Sequence, residues 1–125
     1  MQVPAYSQAP RGPEPIQGDR FVAPESIAEC AAFRDAVCLA WELRAVRGMT
    51  QRTLAELLDV PASHLSNMLN RDPVDRHGKP RQDLPAKLIA DFERVVGNRA
   101  VSQYLARMAM LTLMEEVIQQ RAAMK

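Results

Sequence analysis

Between Met49 and Asn70 the apolar positions do not fit one straight helix, but they fit two short helices with a sharp turn between them. The first puts Leu54, Ala55 and Leu58 on one face, and Asp59-Val60-Pro61 breaks it. The second puts Leu65, Met68 and Leu69 inward and leaves Ala62, Ser63, His64, Ser66, Asn67 and Asn70 outside. A short helix with a small, polar, uncharged outer face is what a DNA major groove accepts.

The pattern continues on both sides. Pro24-Glu25-Ser26 opens a predicted long helix in which Ile27, Cys30, Phe33, Val37, Ala40 and Trp41 recur at steps of three and four. Glu25 and Glu29 suit its positive N-terminal end, Arg44 and Arg47 suit its last turn, and Gly48 stops it. Thr50 is placed to cap the next helix. From Arg71 to Asp83 the charges alternate, and Pro73, Gly78 and Pro80 forbid a continuous helix, so an exposed loop is expected. Asp83-Leu84-Pro85 reads as a helix start, with Leu84, Leu88, Ile89, Phe92 and Val95 or Val96 on one face and Gly97-Asn98 at the end. A last helix is expected from about Arg99 to Ala122. Val101, Tyr104, Leu105, Met108, Leu111 and Met114 are its inward candidates, yet Met110, Leu113, Val117 and Ile118 are apolar too.

The resulting expectation is an all-α domain of roughly five helices containing a helix-turn-helix. Its parts are a flexible, Pro-rich N-terminal arm over residues 1–24, a DNA-binding region with a basic loop over 25–82, and C-terminal packing and dimerisation helices over 83–125. The arm holds Pro4, Pro10, Pro13, Pro15 and Pro24 of the nine prolines, and few large apolar residues to offset its ordering entropy. It reads either as a plain tail or as an arm that reaches DNA or a partner.

Charge supports this picture through its distribution. The whole chain carries only +1, but between Arg44 and Arg81 seven cationic residues face four acidic ones, a local excess of +3. Cys30 and Cys38 would lie about 12 Å apart along one helix, too far for a disulfide, and read as reduced, partly buried small hydrophobes. No apolar run approaches a membrane span and no secretory pattern opens the chain, so a cytoplasmic protein is expected. No nucleophile-base set, phosphate-binding glycine loop or metal-ligand cluster is apparent. Catalysis, cofactor, metal and small-molecule ligand are therefore not expected.

Leu43-Arg44-Ala45-Val46-Arg47-Gly48-Met49-Thr50-Gln51, followed by Leu54-Ala55-Glu56-Leu57-Leu58, resembles the Cro and lambda-repressor type of helix-turn-helix over Leu43 to Arg71. Asp59 stands where that family often has Gly, and Pro61 where it usually has Ser. The segment from Asp83-Leu84-Pro85 through Gly97-Asn98 to Tyr104-Leu105-Ala106 is similar to small phage and prophage regulators. The resemblance implies a double-stranded DNA-binding transcriptional regulator, a repressor of phage or prophage type, in which Gln51 meets a phosphate.

The residues themselves suggest a division of labour. Gln51 and Arg52 open the first short helix, where an amide and free N–H groups suit a phosphate. Ala62, Ser63, His64 and Asn67 face base edges, Asn67 as a bidentate partner for adenine. Ser66, Asn70 and Arg71 support phosphate contacts, and Arg76, Lys79 and Arg81 supply charge from the flanking loop. No Arg or Lys lies between Pro61 and Asn70. The surplus apolar surface at Leu113, Met114, Val117 and Ile118 points to a homodimer. The competing expectation is a helical protein-interaction module that keeps the fold without binding DNA.

Overall fold

The computed structural model describes residues 20–124. Those residues are all-α: six helices, one short 3-10 turn, and no strand. The helices are α1 (Pro24–Ala28), α2 (Phe33–Glu42), α3 (Gln51–Leu58), α4 (Ala62–Met68), α5 (Ile89–Val96) and α6 (Ala100–Ala123). Residues 1–19, most of the expected arm, lie outside the described residues. The end of that arm is held to the domain. The side-chain amide of Gln103 accepts from the Val22 N–H and donates to the Val22 carbonyl, and the Arg99 N–H donates to the Arg20 carbonyl.

The predicted long helix is two helices. The chain turns at Glu29 and is extended at Ala32, with φ −146° and ψ 162°. The cause is Asp35, whose carboxylate accepts from the N–H groups of both Ala31 and Ala32 at 3.0 Å and so starts a new helix. Cys30 thus lies in the turn and Cys38 on α2, and both are free thiols. Burial pushes both thiols above the usual cysteine range. The Cys38 thiol donates to the Leu69 carbonyl and fills the gap between α2 and the end of α4.

Helix α2 also ends early, at Glu42 instead of Gly48. Two side chains take over its final carbonyls. Buried Asn98 donates through Nδ2 to the carbonyls of Ala40 and Leu43. Arg44 folds back over the Trp41 ring, 4.0 Å from its centroid, and donates to the carbonyls of Trp41, Arg47 and Met49. Six residues of irregular chain after Leu43 then lead to Thr50, whose hydroxyl accepts from the Thr53 N–H and caps α3 as expected.

The core is continuous across the chain. Ile27, Ala36, Val37, Leu54, Leu58, Leu65, Met68, Leu84, Phe92, Val96, Val101 and Tyr104 are all buried in it. Asp83 does not start a helix. It faces Arg34, and helical structure begins with the 3-10 turn Ala86–Leu88 ahead of α5. Gly97 ends α5 with φ 83°, the left-handed conformation expected there. The next helix is anchored by side chains of its neighbour. Asn98 Oδ1 accepts from the Ala100 N–H, and buried Glu93 accepts from the Ser102 N–H at 2.7 Å and the Ser102 hydroxyl at 2.6 Å. A carboxylate at this N-terminus is favoured by the helix dipole as well.

Only the first turns of α6 are packed. Ala100, Val101 and Tyr104 are its buried residues. Leu105, Met108, Leu111 and Met114, expected to face inward, are exposed at 41–54%. The helix runs past the end of the domain, so its inward stripe has nothing to pack on.

Candidate nucleic-acid interface

Helices α3 and α4 are joined by three residues. Asp59 adopts φ 57° and ψ 47°, the left-handed turn conformation that the sequence asks for where Gly would be easier. Pro61 precedes α4 with φ −60° and ψ 140°, and it offers no side-chain cap. Leu54, Ala55 and Leu58 of α3 and Leu65, Met68 and Leu69 of the second unit are buried as the periodicity requires. Ala62, Ser63, His64 and Ser66 are exposed, with Asn67 and Asn70 half-buried at the edge. Gln51 and Arg52 are exposed in the first turn of α3.

The segment after Asn70 is exposed, as expected, and is folded into a tight hairpin. Val74 and Pro80 form an antiparallel bridge. The Asp75 N–H donates to the Lys79 carbonyl, and the Arg81 N–H to the Pro73 carbonyl, both at 2.8 Å. The acids of this segment build the turn. Asp75 Oδ1 accepts from the N–H groups of His77 and Lys79, and Asp72 Oδ1 accepts from that of Val74. Asn70 Oδ1 accepts from the Asp72 N–H. Gly78, at φ 80°, closes the tip. Arg76, His77 and Lys79 are exposed there.

Arg34 fixes this hairpin to α4. Its side chain is buried, only 6% exposed. One terminal nitrogen donates to the carbonyls of Asn67 (2.6 Å) and Asn70 (2.8 Å). The other donates to the carbonyls of Arg81 and Gln82 and to Asp83 Oδ1. The carbonyls at the end of α4 and the returning limb of the hairpin therefore share one cation. Sequence reading missed this residue. The available signal was its place inside an apolar stripe, four residues before Cys38 and three before Val37.

The pinned hairpin brings Arg81 onto α4. Arg81 Nη1 donates to Asn67 Oδ1 at 2.9 Å, its Nε donates to the Val74 carbonyl, and Asn67 Nδ2 donates to the Ser63 carbonyl. A helix without any cation of its own thus carries a guanidinium beside its outer face. Arg71 is arranged differently. It makes a bidentate contact with Glu42, and Asp35 lies 3.8 Å away. The hydrogen bonds it donates to the Glu42 carboxylate hold its guanidinium protonated even more firmly than usual. Its charge is thus met by carboxylates within the protein. Arg52, Arg76, Lys79 and Arg81 make no ion pair among the described residues.

The candidate interface is the outer face of α4 with Arg81, joined by the Arg81–Asn67 hydrogen bond, together with the exposed residues of the first turn of α3 and of the basic hairpin tip. It offers backbone and amide donors, short polar side chains and unneutralised cations. Leu113, Met114, Val117 and Ile118 are not part of it; they are exposed on the distal half of α6. Compared with protein-family models, curated proteins and solved structures, the chain matches none.

Proposed function

We propose that this protein is a sequence-specific double-stranded DNA-binding regulator of transcription, acting in the cytoplasm as a phage-type repressor that blocks polymerase by occupying a promoter. We read α3 and α4 as a helix-turn-helix, with α4 entering the major groove. The observation that carries this reading is the Arg81–Asn67 hydrogen bond, which puts a guanidinium on the exposed face of α4. A guanidinium beside an amide is a pair suited to guanine and adenine edges. Exposed Gln51, Arg52, Arg76 and Lys79 are read as phosphate contacts, which position a protein without specifying sequence. A regulator that works by occupancy needs no catalytic group, cofactor or metal.

The net charge of only +1, the absence of Arg or Lys between Pro61 and Asn70, and the apolar distal half of α6 favour a protein-interaction module instead. Salt dependence separates the two readings. With three or four phosphates neutralised per subunit, the log–log slope of duplex affinity against salt should be roughly −3 per subunit, and twice that for a dimer. Fluorescence anisotropy with random-sequence duplex at graded salt measures it. A slope near zero, or no binding at low salt, sinks the DNA reading.

A further inference from the structure

Successive residues on a helix are turned by about 100°, so the distal half of α6 can be sorted into arcs. Met110, Leu111, Leu113, Met114, Val117 and Ile118 fall within an arc of about 180°. Thr112, Glu115, Glu116, Gln119 and Gln120 fall on the opposite side. The six apolar side chains are 44–64% exposed. Together they present on the order of 600 Å², at the upper end of the ~300–600 Å² that is the largest patch on a typical monomer. Beyond Tyr104 no residue of α6 is buried. A helical stretch of that length is only marginally stable in water without packing on its apolar face.

We infer that this stripe pairs with the same stripe of a second copy, the two α6 helices running antiparallel about a two-fold axis between Met114 and Val117. The area fits, since covering both stripes and their polar rims removes more than ~1,200 Å², the scale of a stable interface. The helix dipoles favour that direction, because antiparallel helices set the positive end of each beside the negative end of the other. Arg107 and Arg121 lie within the apolar arc at its two ends. Antiparallel helices set Arg107 beside the negative C-terminal end of the other helix, where a cation is stabilised. The chain's own residues 1–19 are a poor cover, because Met1, Val3, Tyr6 and Ile16 are their only large apolar residues and four prolines interrupt them. This inference does not depend on DNA binding. If both hold, the dimer presents two reading faces related by the same axis.

The test is light scattering on the full chain at micromolar concentration. The wild type should have about twice the 14.0 kDa of one chain. Val117→Asp with Ile118→Asp should weaken self-association on the order of a hundredfold or more, because two carboxylates per chain would be buried without partners. Circular dichroism should keep the signal and cooperative melting of the core helices, since neither residue touches the monomer's core, with any loss confined to fraying of the unpacked distal turns of α6. Glu116→Ala with Gln119→Ala, on the opposite arc, should stay dimeric. In a Cys30→Ser background, Met114→Cys should form a disulfide-linked dimer under oxidation and Met124→Cys should not. A monomeric wild type, a dimeric Asp double variant, or cooperative unfolding of the whole domain in that variant overturns the proposal. Cross-linking through position 124 overturns the antiparallel arrangement.

Discussion

Replacing Arg34 with Met should lower the unfolding free energy by about 3–5 kcal/mol, the largest single effect expected outside the apolar core. Methionine keeps the aliphatic stem in place, so the loss comes from the guanidinium. Five acceptors share it: the carbonyls of Asn67, Asn70, Arg81 and Gln82, and the Asp83 carboxylate. A hydrogen bond from a charged donor contributes about 1.5–3 kcal/mol when the alternative is an unsatisfied buried group. Asp83 is 64% exposed and recovers water, which keeps the total below the simple sum. Urea unfolding followed by circular dichroism measures the change, and the melting temperature should fall by roughly 12–25 °C. A loss under about 1 kcal/mol would mean that water replaces the guanidinium at those carbonyls. The hairpin would then not be pinned in the way described.

At a preferred site, Arg81→Ala and Asn67→Ala should each cost about 1–3 kcal/mol of DNA affinity and relax preference at the contacted bases. The two losses should not add. The side chains share a hydrogen bond, so removing one leaves the other without its orienting partner. The double variant should resemble the worse single variant. Lys79→Ala, at the exposed hairpin tip, should instead weaken all duplexes alike and reduce the salt slope by about one. Selection from a randomised duplex pool, followed by competition binding, distinguishes these patterns. If Arg81→Ala weakens every duplex by the same factor, Arg81 is a phosphate contact and the base-reading role is wrong.

The two short helices were legible because their signals are local. Thr50 caps its own helix three residues on, Asp59 takes a left-handed turn, and short apolar periodicities mark both inner faces. What could not be read was set by contacts distant in sequence, or by a local side chain that the periodicity conceals. The stripe from Ile27 to Trp41 runs through the break at Ala32 with no change in period; only the Asp35 carboxylate reveals it. The end of α2 depends on Asn98, 58 residues from Ala40. Pro73 and Gly78 announced a turn but not its direction, so the approach of Arg81 to Asn67 was invisible. On α6 the apolar pattern predicted burial correctly only as far as Tyr104, because periodicity tells which side is apolar and not whether anything lies against it.

The central claim is that one surface, made by the start of α3, the outer face of α4 and the hairpin, receives DNA. Titrating isotope-labelled protein with an unlabelled duplex and following backbone amide shifts tests it most directly. The account predicts that the largest changes fall at Gln51, Arg52, Ser63, His64, Asn67, Lys79 and Arg81, with the distal half of α6 unmoved. Changes concentrated between Met110 and Ile118, or scattered without a maximum on α4 and the hairpin, would contradict it.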